Sequence, residues 1–143
     1  MPVFSDQNRE QLRQMYLEAW RKYTAHQPLE PLQAQLAAVM AEHPEYIPLL
    51  ESGPQALAAD YTPEGGRENP FLHLGLHLAI REQVATNRPA GIAQIHQALA
   101  NRLGDPHAAE HTMLEALAET LWESQRSGKA PDEQRYLERL RTL

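Results

Sequence analysis

The sequence predicts an all-α fold, a single-domain helical bundle of about five to six helices over residues 1–143. Two observations carry this. Every periodic segment returns apolar residues at three- and four-residue steps, and none alternates apolar with polar between turn signals as a half-buried strand does. The breaks between segments carry helix-boundary chemistry: Ser, Asn or Asp ahead of a first turn, proline at the first helical position, glycine after the last. A chain of 143 residues is long enough to bury one such core.

The first helix is expected from near Ser5, a suitable N-cap, to about Tyr23, with Leu12, Tyr16, Ala19, Trp20 and Tyr23 on one face. Pro31 fits the first turn of the second, which turns Leu32, Leu36, Val39 and Met40 inward. It must end at or before His43, because Pro44 disfavours helical geometry in the residue ahead of it. From Pro44 to Asp60 the chain is broken by Pro48, Gly53 and Pro54, which leaves one or two short helical turns.

"YTPEGGREN", residues 61–69, has the strongest loop chemistry in the chain. Its Gly65-Gly66 pair lacks the Gly-Lys-Ser/Thr ending of a phosphate loop. Asn69-Pro70 and Asp105-Pro106 then provide two matching helix starts. Between them, a helix over 89–103 places Ile92, Ile95, Leu99 and Leu103 on one side, and Gly104 closes it. The helix from Pro106 runs to about Arg126 and stops at Ser127-Gly128. A last helix begins at Asp132 and buries Tyr136, Leu140 and Leu143. Trp20 and Trp122 both sit at core spacing.

Composition narrows the function classes. Hydrophobic residues make up 42 % and charged residues 22 %, the balance of a globular chain. No apolar run approaches the roughly 20 residues that cross a bilayer, so no membrane partner is expected. The start, MPVFSDQNREQ, has neither a basic nor an apolar leader region, and a cytoplasmic location is expected. The sequence contains no cysteine, which removes disulfides, thiolate ligands and a cysteine nucleophile together. The formal net charge of −6 disfavours nucleic acid, whose phosphates call for a basic face. Serines stand at 5, 52, 124 and 127, none in a nucleophile elbow.

"NPFLHLGLHL", residues 69–78, carries the most informative chemistry. His73 and His77 are four apart and therefore share a helix face, as do His107 and His111 on the second Asx-Pro helix. Such a pair of imidazoles can close on one metal ion at about 2.0–2.1 Å per nitrogen. Glu115 is four beyond His111 and extends the stripe as the first carboxylate candidate, and Glu119 lies four further on. Phe71, Leu72, Leu74, Leu76, Leu78, Ala79 and Ile80 leave His73 and His77 as polar exceptions on an otherwise apolar helix, so each imidazole needs a partner. Gly75 between them costs about 1 kcal/mol of helix stability relative to alanine, which a close approach would offset.

The site residues proposed by spacing are therefore His73, His77, His107, His111 and Glu115, holding zinc, iron, nickel or copper. The competing reading is a non-catalytic interaction or structural module whose histidines are hydrogen-bonded core groups. Neither His-Glu-x-x-His nor the Glu-x-x-His of di-iron bundles is present to decide between them. His43 and Glu82 are weaker candidates, the first as a helix boundary before proline, the second turned partly off the face of His77. His96 and His26 read as lone histidines. The loop at 61–69, with Glu64, Arg67 and Glu68 ahead of the helix N-terminus, is expected to border the site mouth.

The blocks "EAWRKY" (18–23), "EHPEY" (42–46), "YTPEGGRENPFLHLGLHLAIREQ" (61–83), "AAEHTMLEALAETLWESQRSG" (108–128) and the closing "YLERL" together resemble a family of small bacterial proteins, the domain of unknown function numbered eighteen forty-one. The resemblance runs nearly end to end, and Asn-Pro-Phe-Leu-His is its most specific block. These blocks take in His43, His73, His77, His111 and Trp122, with His107 immediately before the fourth. The resemblance implies a small soluble bacterial protein and brings no activity with it.

Overall fold

The computed structural model describes residues 6–53, 55 and 69–143. Among them, every regular element is helical: α1 (Asp6–Thr24), α2 (Pro31–Ala41), a 3-10 turn (Pro44–Tyr46), α3 (Ile47–Leu50), α4 (Pro70–Thr86), α5 (Ile92–Leu103), α6 (Pro106–Ser127) and α7 (Glu133–Arg141). The count exceeds five to six because the broken stretch after Pro44 closes first as the 3-10 turn and then as the four-residue α3. None of the described helices is long and apolar enough to cross a membrane. The N-cap expected at Ser5 lies outside the described residues, as does most of the 61–69 loop.

The helix boundaries follow local chemistry. Glu30 and Gln33 form a reciprocal capping box ahead of α2, with Pro31 at the first position. Asn69 Oδ1 accepts from the backbone N–H of Phe71 at 3.0 Å and of Leu72 at 3.3 Å, capping α4. Asp105 and Asp132 cap α6 and α7 in the same way. Gly104 and Gly128 end α5 and α6 at φ of 75° and 72°, where a side chain would be strained. The helix expected over 89–103 begins only at Ile92, because Asn87 Oδ1 accepts from the N–H groups of Gly91 and Ala93, 3.1 Å each, and caps α5 from outside it.

The chain divides into two compact units, Met1–Leu74 and Gly75–Leu143, the division falling inside α4. The first unit buries Tyr16, Ala19, Trp20, Leu36, Val39, Met40 and Leu50. Tyr16 meets Phe71 edge-on at 5.7 Å, and the buried Arg13 sets its guanidinium 5.0 Å from the Phe71 ring centre. Leu12, Tyr23 and Leu32, expected inward, are exposed, since the buried strips of α1 and α2 are narrower than their apolar faces.

In the second unit Leu76, Ile80, Ile92, Leu99, Met113, Leu117, Tyr136 and Leu140 form one cluster. Burying each large side chain contributes about 1.5–3 kcal/mol. Trp122 departs from its expected core position: it is 56 % exposed, with the Arg126 guanidinium 5.1 Å from its ring, because the buried strip of α6 runs through Met113, Ala116, Leu117 and Thr120.

Candidate metal centre

Two capped helices carry the clustered imidazoles of the second unit. On α4, His77 stands one turn ahead of Arg81. On α6, Asp105 Oδ1 accepts from the His107 N–H at 3.1 Å and starts the helix there, so His107, Glu110 and His111 occupy its opening turns. His77 is completely buried and Glu110 is 7 % exposed; His107 is half-buried and His111 is exposed. The ring centres of His77 and His107 are 5.3 Å apart, those of His77 and His111 5.3 Å, and those of His107 and His111 6.2 Å. Imidazoles that share one ion at about 2.0–2.1 Å per nitrogen have ring centres about 5 Å apart. His77, His107 and Glu110 each offer a ligand atom within 4.8 Å of the others.

Hydrogen bonds set the roles of these groups. His77 Nδ1 lies 2.6 Å from Glu110 Oε1, and Arg81 Nε lies 3.0 Å from each Glu110 oxygen. Burial pushes the Glu110 carboxyl up, but the hydrogen bonds and charges of His77 and Arg81 outweigh it and hold the group below the usual carboxylate value. An ionised carboxylate only accepts, so His77 Nδ1 is the donor, and in the neutral imidazole the lone pair is then on Nε2.

In the first unit a second aromatic group forms around His43, which is 3 % exposed. Its Nδ1 donates to the Val39 carbonyl at 2.9 Å, which again places the lone pair on Nε2. Tyr46 stacks on the ring at 5.4 Å with planes 5° apart. The buried His73 meets His43 edge-on at 5.1 Å and Tyr46 at 6.1 Å.

Residues 8–142 match the family described as Domain of unknown function (DUF1841). The chain belongs to that family. No curated protein and no solved structure matches it. Every histidine described above lies within the span shared with DUF1841.

Of the five residues that spacing proposed, this DUF1841 chain brings His77, His107 and His111 together in the second unit. His73 belongs to the first unit, beside His43 and Tyr46. Glu115 is exposed: the i, i+4 line from His111 through Glu115 to Glu119 follows the solvent edge of α6, whereas Glu110, Met113, Leu114 and Leu117 point inward. Glu119 lies 3.7 Å from Arg139, Glu82 is exposed, His96 is half-buried in α5, and His26 is exposed beyond α1. Glu110 and Arg81 are not among the residues that spacing proposed. Both carried a signal, since Glu110 is three residues past His107 and Arg81 four past His77, neighbouring positions on a helix surface. Residues 107–111 also read His-x-x-Glu-His, an order used by one class of zinc hydrolases.

Proposed function

We propose that this protein binds a transition-metal ion through His77, His107 and His111 of the second unit, with zinc, iron, nickel or copper as the candidate metals. The observation that supports this reading is the convergence of three imidazoles at 5.3–6.2 Å between ring centres, one of them presenting Nε2 because a carboxylate holds its Nδ1–H. Exposure rises from His77 through His107 to His111, so an ion held there meets solvent on one side. Three protein ligands with a solvent-filled position describe a catalytic metal site more closely than a closed structural one. His73, one turn before His77 on α4, stays in the proposed set on its four-residue spacing. The net charge of −6 supports a partner other than nucleic acid.

Elemental analysis of protein purified without an affinity tag tests this directly. Near-stoichiometric transition metal is the expected result. One observation favours a second reading: the buried His77 and Glu110 and the part-buried Arg81 are already joined by hydrogen bonds, as core groups of an interaction module are. Protein that is metal-free and also fails to take up added zinc, iron, nickel and copper selects that reading.

A further inference from the structure

We infer that Glu110, held by Arg81, is a positioning residue that aims His77 at the metal, and is neither a ligand nor a water-activating base. The inference rests on the metal reading of the same site. His77 is buried between two helices and its Nδ1–H is committed to Glu110 Oε1 at 2.6 Å. The ring therefore offers Nε2, the nitrogen on its far side. An ion about 2 Å from Nε2 is out of reach of an oxygen hydrogen-bonded to Nδ1 of the same ring. One ion cannot take both groups in this arrangement, even though both lie near His107.

Arg81 also holds the carboxylate. Its Nε approaches both oxygens at 3.0 Å, so Oε1 accepts from two donors and Oε2 from one. A carboxylate engaged in this way is a poor base for a metal-bound water, which is the task of the glutamate in zinc hydrolases with the His-x-x-Glu-His order. The geometry assigns it the outer role of a carboxylate–histidine–metal chain: it selects the tautomer, fixes the ring plane and raises the basicity of Nε2. Arg81 in turn fixes the carboxylate and offsets its charge.

Two measurements on the full chain test the assignment. In metal-free protein, nitrogen-15 shifts of the imidazoles are expected to show His77 protonated at Nδ1, and Glu110→Ala to shift it toward the Nε2–H form. This readout does not depend on any metal. A wild-type His77 protonated at Nε2 overturns the inference. In the second, cobalt(II) is titrated into wild type, Glu110→Ala and Glu110→Gln while its visible bands are recorded. Loss of the outer carboxylate is expected to weaken affinity about 10–100-fold with the band positions unchanged, and glutamine, which keeps an acceptor, to recover part of it. Shifted bands in Glu110→Gln make Glu110 a ligand and overturn the inference, as does an affinity unchanged in both variants. If Glu110→Ala fails to fold, the wild-type tautomer decides the first measurement and the near-isosteric Glu110→Gln the second. Wild type that binds no cobalt or other metal overturns the metal reading, and the nitrogen-15 result still decides what holds His77.

Discussion

His77 Nδ1 and Glu110 Oε1 stand 2.6 Å apart across 33 residues of sequence. The contact joins α4 to α6 inside the second unit, with both side chains buried and Arg81 closing the other side of the carboxylate. Removing Glu110 takes the carboxylate acceptor from a buried imidazole, and removing His77 takes one of the donors from a buried carboxylate, so this contact links the stability of the unit to the chemistry of the site.

His77→Ala and His111→Ala are therefore expected to separate two effects. Both lower metal content sharply. Only His77→Ala also lowers stability, by about 1–3 kcal/mol, because it strips a buried carboxylate of a donor; His111 is exposed and its loss leaves the fold nearly unchanged. Elemental analysis with chemical denaturation measures both, and circular dichroism checks that helix content is retained. Full metal occupancy in the His77→Ala/His111→Ala double variant would falsify the ligand assignment.

Metal binding should weaken in acid. A ligating imidazole must be neutral, so one proton competes with the metal for each ligand. Affinity measured by competition with a chromophoric chelator is expected to fall between about pH 7.5 and about pH 5.5. An affinity constant across that range would point to ligation by carboxylates alone.

Alkaline stability should depend on Tyr16. Burial pushes its hydroxyl up to about 12 from the model-compound value of 10.0. A group whose folded value is raised contributes fully below its unfolded value, and the contribution disappears as pH rises through the folded one. The expected window of loss is therefore pH 10 to about 12. Tyr16→Phe should show a shallower fall in denaturation midpoint across it. Some slope will persist, because burial also pushes the Tyr136 hydroxyl up. Equal slopes in wild type and Tyr16→Phe would rule out the contribution.

Asp105→Ala removes the side chain that caps α6 at His107. A lost N-cap costs about 1 kcal/mol, or roughly 2–4 °C in melting temperature for a chain of this size. Because α6 carries His107, Glu110 and His111 in its opening turns, metal affinity should fall with stability. Asp105→Asn, which keeps an acceptor, should restore most of both. If calorimetry shows Asp105→Ala melting with wild type, the cap has no energetic role.

The helical class, the Asx-Pro starts of α4 and α6 and the glycine stops after α5 and α6 were legible in the sequence, because each is set by residues within one turn of one another. The pairing of His107 with His111 was legible for the same reason. Which residues on each helix face inward was not. Apolar periodicity marks a face about as wide as the hydrophobic stripe, while the packing partner covers only part of it, so Leu12, Leu32 and Trp122 satisfy the pattern and still meet solvent. Which carboxylate of α6 is buried was not legible for the same cause: Glu115 continues the four-residue step from His111 along the outside of α6, and Glu110, three past His107, is the one hydrogen-bonded to His77 and Arg81 of α4. A helix fixes which of its own side chains are neighbours; only the second helix, packed against it, selects which of them are removed from water and joined by hydrogen bonds.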